Sequence, residues 1–174
     1  MEKKILFFLS NLSGGGAQRT VVNLLRYLNK NEFIPTLVLL SYNKEHAFAN
    51  EIPEGVNIVN LNSRGRHAVG KIANLLKQEK PDVVFSTLPQ VNIAVSLAHF
   101  FSRSNSKLFL RETSYRGTNA TDTLLDQKLA KFGYHKCDRA IALSGGVAEE
   151  MNKLYGLSKN KVNVTKRVVK NAVT

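Results

Sequence analysis

Short apolar runs alternate with stretches of helical periodicity from one end of the chain to the other, and this alternation constrains the fold more than any other feature. Residues 3–9, 34–41, 56–61, 82–87, 107–111, 139–144 and 162–169 read as strands. The intervals 17–29, 68–79, 91–102, 122–135 and 145–155 read as helices. In the first of these, Val21, Leu24, Leu25 and Leu28 recur on one face, as a helix laid on a sheet requires. Val69, Ile72, Ala73 and Leu76 repeat the pattern in the second, and Lys80-Pro81-Asp82 ends it, because a proline disfavours helical backbone just before it. Val147, Met151 and Leu154 mark the fifth, with Gly156 placed to terminate it. Strands taken singly in turn with helices predict an α/β fold with a parallel, doubly wound sheet of about seven strands. The 174 residues are one domain's worth. No internal repeat is visible, and only 42–55 and 112–121 read as long loops.

Between the first strand and the first helix lies Ser13-Gly14-Gly15-Gly16-Ala17-Gln18-Arg19. Three glycines at such a turn leave no Cβ atoms to hold a ligand off, and they bare backbone N–H groups at the positive end of a helix dipole. The arrangement suits a phosphate-bearing ligand at the carboxyl ends of the strands. It is not the dinucleotide fingerprint, whose third glycine would fall on Arg19, nor a P-loop, which needs Gly-Lys-Ser/Thr. After the second strand the chain reads Ser41-Tyr42-Asn43, where a nicotinamide enzyme would carry an acidic residue for the ribose. Both points argue against an NAD-dependent dehydrogenase.

Charge narrows the partners. Twenty-five basic residues against 13 acidic give +12 and a pI near 10.0, a field that attracts anions. One basic cluster is Arg64, Arg66, His67 and Lys71; another is Lys159, Lys161, Lys166, Arg167 and Lys170. Neither is interleaved with aromatics as a single-strand-binding surface would be, and no zinc-finger, KH or RNP signature occurs, so nucleic acid is not the expected partner. The four histidines show no metal-ligand spacing, and no Gly-x-Ser-x-Gly or Cys/His pair supports covalent hydrolysis. No apolar run reaches the length of a membrane span and no signal-peptide pattern opens the chain, so a cytoplasmic location is expected; the lone Cys137 fits a reducing compartment.

Four blocks, in order, resemble the N-terminal domain of family 4 glycosyltransferases of GT-B architecture. They are the glycine turn; Pro81-Asp82-Val83-Val84-Phe85-Ser86-Thr87-Leu88 with Asn92-Ile93-Ala94; Leu108-Phe109-Leu110-Arg111-Glu112-Thr113-Ser114; and Ala142-Leu143-Ser144-Gly145-Gly146-Val147-Ala148-Glu149-Glu150. The last is followed by Tyr155-Gly156-Leu157 and by Val168-Val169-Lys170-Asn171-Ala172-Val173, which is similar to the family's strand leading into its interdomain hinge.

The resemblance implies a Rossmann-like, acceptor-side domain over 1–174, with the donor-binding domain and its E-x7-E glutamates outside the chain. It implies a retaining, nucleotide-sugar-dependent transferase acting on a saccharide or lipid-linked acceptor in cell-surface polysaccharide or glycan synthesis. Such an enzyme needs no cofactor or metal, and this half alone is expected to be inactive. Gly14, Gly15 and Gly16 carry over as donor-phosphate or acceptor-binding positions. Arg19, Arg111 and Ser144 are candidates for the same role, although an ion pair accounts equally well for Arg19 and helix capping for Ser144. Glu112 is the candidate catalytic carboxylate, orienting an acceptor or sugar hydroxyl, unless it pairs with Arg111 or Arg116. Lipid-linked acceptors would bring the protein to the inner membrane face, docked through 64–71 or through Phe100-Phe101-Ser102-Arg103. Two other readings stand beside this one: a non-catalytic basic Rossmann-like module binding nucleotide or nucleic acid, and a sugar-nucleotide epimerase of the same architecture.

Overall fold

The computed structural model describes residues 2–113 and 123–165. Seven strands form one all-parallel sheet: β1 (Lys3–Leu9), β2 (Phe33–Leu39), β3 (Asn57–Asn60), β4 (Val83–Thr87), β5 (Lys107–Glu112), β6 (Arg139–Ala142) and β7 (Val162–Val164). Their spatial order is β3-β2-β1-β4-β5-β6-β7. Five helices connect them: α1 (Gly16–Tyr27), α2 (Val69–Glu79), α3 (Pro89–Ser102), α4 (Leu124–Lys136) and α5 (Gly145–Tyr155).

The apolar strands are covered on both sides, which is why β1 reads as a continuous run rather than an alternating one. Successive side chains point to opposite faces. Ile5, Phe7 and Leu9 meet Val21, Val22 and Leu25 of α1, whereas Leu6 and Phe8 join the larger core built with α2, α3, α4 and α5. One face thus carries α1 and the other carries four helices. That division follows from right-handed crossovers, because the chain steps one way along the sheet up to β3 and the other way from β4 onward.

Departures from the sequence expectations have local causes. α3 starts at Pro89 rather than 91, since a proline at the first helical position has no N–H to leave unpaired. β6 stops at Ala142 because Ser144 turns to cap α5, accepting a hydrogen bond from Val147 N–H at 3.3 Å. Single 3₁₀ turns occupy Ala49–Glu51 inside the 42–55 loop and Gly65–Ala68 before α2. Gly156 ends α5 with φ 65°, as its position predicts. Residues 114–122, with Ser114 and Arg116, lie outside the described residues, as do 166–174, which hold Lys166, Arg167, Lys170 and the hinge-like stretch.

α4 fixes the carboxyl end of β5. It approaches α3 closely at Gly133, where a Cβ would fall 2.4 Å from Ser96 Oγ and 2.9 Å from Ser96 Cβ. The next residue, Tyr134, is fully buried, stacks on Tyr155 with ring centroids 4.9 Å apart, and donates its hydroxyl hydrogen to Glu112 Oε2 at 2.8 Å. Asn92 Nδ2 donates to the same hydroxyl oxygen at 3.1 Å and to the Arg111 carbonyl at 3.0 Å. Burial, and then the neighbouring Glu112 charge, push the Tyr134 pKa well above the usual tyrosine value.

Two predictions follow from this docking. Gly133→Ala overpacks the α3–α4 contact and is expected to cost about 1–3 kcal/mol in denaturant unfolding. Tyr134, ionising later in the folded chain than in the unfolded one, contributes its full share of stability below pH ~10 and loses it as pH climbs towards the raised value. Ultraviolet titration should therefore show one tyrosine ionising late, and Tyr134→Phe should remove that late component.

Candidate functional site

Neighbouring strands β1 and β4 send their chains away in opposite directions, β1 through α1 on one face and β4 through α3 on the other. The connections diverge and leave a crevice at the carboxyl edge, the place where open α/β sheets take ligands. One bank is the glycine turn. Asn11 Oδ1 accepts from Ser13 N–H at 3.1 Å and from Ser13 Oγ–H at 2.7 Å, while Leu12 is fully buried beneath. Gly14 and Gly15 then adopt φ 128° and 125°, backbone that a side chain would strain.

No side chain caps α1, and its first intrahelical bond at this end is Arg19 N–H to the Gly15 carbonyl at 3.0 Å. The N–H groups of Gly16, Ala17 and Gln18 therefore point out of the helix start. Gly15 and Gly16 are exposed to solvent, so this corner is open. On the other bank, Leu88 takes φ 81° between Thr87 and Pro89. A leucine held in that region is strained, and such strain collects where ligands bind.

Below the crevice lies Arg111. Its side chain is on the α1 face of the sheet and the residue is only 5% exposed. Its guanidinium donates to Thr87 Oγ1 at 3.4 Å and to Thr20 Oγ1 at 3.5 Å, and Thr20 Oγ1–H donates to the Gly16 carbonyl at 2.7 Å. A thread of polar groups thus runs from the end of β5, past the end of β4, to the first turn of α1. Among the described residues no carboxylate forms an ion pair with Arg111. Burial lowers its pKa, and the negative charge of Glu112 partly offsets that shift. A cation held in such surroundings adds positive potential under a turn that already presents bare amides.

Other candidates stand elsewhere, and one expectation is corrected. Glu112, the candidate catalytic carboxylate, is 1% exposed. Consecutive residues of a strand face opposite ways, so Arg111 turns towards α1 while Glu112 turns with Leu108 and Leu110 into the α3–α4 core, where Tyr134 and Thr113 N–H bond it. In this position it anchors the strand end and does not reach the crevice. The parity of apolar Leu108 and Leu110 is the sequence signal that would have shown it.

Of the two alternatives open at Arg19, the ion pair is the one formed. Both terminal nitrogens donate to Glu51, Nη2 to Oε1 at 3.0 Å and Nη1 to Oε2, and the guanidinium sits 4.1 Å from the Phe48 ring centroid. Arg26 adds a 3.4 Å contact to the same carboxylate, and the Arg19 guanidinium holds the Glu51 pKa below the usual range. Arg19 therefore fastens the β2–β3 loop to α1 and is not free for a phosphate. The pair is half-exposed, so solvent screens it and its role is to place the loop rather than to stabilise the fold.

Ser144 caps α5 beyond β6, three strand spacings or about 14 Å from the turn. Thr20 and Thr87, which hold Arg111, are the residues that sequence reasoning missed: Thr87 lies in the second block of the family resemblance but nothing in that block assigns it a role, and Thr20 belongs to no recognisable motif. His99 and His135 bond the Ser106 and Tyr155 carbonyls, and among the described residues no group of His, Cys, Asp and Glu is arranged to hold a metal ion. Cys137 is buried, with its thiol pushed up to about 11 by burial.

The family model described as Glycosyltransferase Family 4 matches residues 14–170. Among solved structures, Anabaena Alr3699/HepE in complex with UDP-glucose superposes with a TM-score of 0.70 at 15% identity, over 94% of this chain and 43% of that one. The lipopolysaccharide outer core galactosyltransferase WaaB gives 0.64 at 18% identity, over 92% and 44%. The UDP-GlcNAc 2-epimerase of Methanocaldococcus jannaschii gives 0.64 at 16% identity, over 94% and 45%. Likenesses at these identities speak for the fold alone, and the chain spans less than half the length of each of these proteins. No curated protein matches it in sequence. The match along nearly the whole chain and the seven-stranded parallel sheet agree: this chain belongs to glycosyltransferase family 4, and its fold is one Rossmann-like half of the GT-B architecture.

Proposed function

We propose that the chain is the acceptor-side domain of a retaining glycosyltransferase that moves a sugar from a nucleotide-sugar donor to a saccharide or lipid-linked acceptor in glycan or cell-surface polysaccharide synthesis. The observation that carries this reading is the open glycine turn with buried Arg111 behind it at the sheet's switch point. When a sugar leaves a nucleotide, negative charge grows on the departing diphosphate. Preorganised amides and a fixed cation gain most from charge that develops in the transition state. Gly14 supplies the bend, Gly15 the close approach, and Gly16, Ala17 and Gln18 the N–H groups. Arg111 acts through the field it sets up from below. A second domain, carrying most of the donor site, closes over this edge.

For a protein working on lipid-linked acceptors at the inner membrane face, 64–71 is the docking segment this reading favours. Arg64 and His67 are exposed just before α2, on the carboxyl edge shared with the turn. Lys71 on the same segment is held by the Leu61 and Asn62 carbonyls at 2.8 and 3.2 Å. Phe100, Phe101 and Arg103 lie at the far end of α3, on the opposite edge, and a membrane there would face away from the turn. Among the described residues no helix is long and apolar enough to cross a membrane.

Gly16 gives the cleaner test. At Gly15 a valine would meet Gln18 Oε1 and a strained φ, so the turn itself would fail, whereas a Cβ on Gly16 has nothing within 4 Å. In the two-domain enzyme, Gly16→Val is expected to lower kcat/KM on the order of 100-fold with unfolding unchanged within ~1 kcal/mol. Undiminished transfer would remove the turn from the mechanism. The 174-residue chain assayed alone is expected to transfer no sugar; steady turnover without a partner would contradict the division of labour between domains.

A further inference from the structure

At the amino edge of the sheet, remote from the glycine turn, the starts of β1, β4 and β5 and the ends of α2 and α3 enclose an open groove of about 660 Å³. Five cations line it, Lys3, Lys77, Lys80, Arg103 and Lys107, against a single carboxylate, Asp82. Asp82 Oδ2 already accepts the Lys4 N–H at 2.8 Å, and Lys107 pairs with Asp138 at 2.9 Å. Lys3, Lys77, Lys80 and Arg103 are exposed and enter no ion pair among the described residues.

Cations at helix ends often only balance the helix dipole, and here α2 and α3 both point their carbonyl ends at the groove. Each such end carries about half a negative charge, so the two together neutralise roughly one cation. Asp82 and Asp138 account for two more, which leaves a surplus of about two positive charges with no counterpart in the fold. Moreover, Lys80 and Arg103 occupy left-handed backbone at φ 45° and 54°, where a glycine would sit most easily. The groove's size falls in the range of small-ligand sites.

The geometry points to a second binding site in this groove, for a ligand bearing a doubly charged phosphate group, whether free in solution or the headgroup of a lipid. Compact ammonium groups on flexible stems suit phosphate, and the exposed Asn105 amide beside them offers a neutral donor. The site is independent of the glycosyl-transfer reading, since it shares no residue with the carboxyl edge. A lipid source is open to it because Phe100 and Phe101, 48% and 64% exposed, flank Arg103 at the end of α3.

The test uses inorganic pyrophosphate in one arm and, in the other, phosphatidylcholine vesicles with and without phosphatidic acid, whose terminal phosphate can carry two charges. The variant is Lys80→Gly with Arg103→Gly, which removes two charges while easing both left-handed positions, so it does not endanger folding. Lys128→Gln with Lys153→Gln removes the same charge from exposed positions on α4 and α5. The groove variant is expected to weaken binding roughly 10-fold and the control to leave it nearly unchanged. Saturable pyrophosphate binding that behaves so identifies a soluble ligand; vesicle binding that behaves so, without it, identifies a lipid. No saturable binding in either arm, or equal losses in both variants, would overturn the proposal.

Discussion

Two parallel strands that lie side by side but send their chains in opposite directions set the terms for the rest of this molecule. Backbone hydrogen bonding holds β1 against β4, yet right-handed crossovers force their helices onto opposite faces. Nothing can bridge the gap above that pair without breaking the sheet's winding. An opening at the carboxyl edge is therefore a consequence of topology, and the residues that rim it are those immediately after β1 and β4. One rim is the glycine turn and the other is Leu88 in a strained conformation.

What the fold adds to this opening is charge held in place. Arg111 reaches it because odd-numbered residues of β5 face α1, and the hydroxyls of Thr87 and Thr20 hold the guanidinium where burial alone would be unfavourable. The same alternation sends Glu112 into the opposite core, where Tyr134 and Thr113 bond it. One dipeptide thus serves two faces: a cation under the crevice and a buried anchor for α4. Arg19, next to the turn in sequence, is drawn off by Glu51 and Phe48 to fix the β2–β3 loop along α1. The groups left facing the crevice are backbone amides, which bind an anion without a titratable side chain of their own.

The sheet was legible because its signals are local. Period-2 and period-3.6 patterns, Gly156 at a helix end and Pro81 after another each act within a turn or two of chain, and burial on both faces made the strands plainly apolar. The turn was legible for the same reason, since three glycines in a row require a backbone that other residues resist. The site was only half legible. Arg111 depends on Thr20, 91 residues away, and on Thr87, 24 away, contacts that no short pattern encodes. Glu112 was misplaced because residue type was weighed before strand parity, and the two alternatives open at Arg19 could be separated only by the loop that supplies Glu51 and Phe48. Gly133, which lets α4 approach Ser96, looked like an ordinary helix residue until its neighbour across the interface was known.

Amide chemical-shift mapping of the chain titrated with UDP tests the central claim most directly. If the crevice holds a diphosphate against bare amides, the largest shifts will fall on Gly15, Gly16, Ala17 and Gln18 and will weaken in Arg111→Gln. Shifts scattered over the basic surface, or confined to the amino edge with the turn silent, would contradict it.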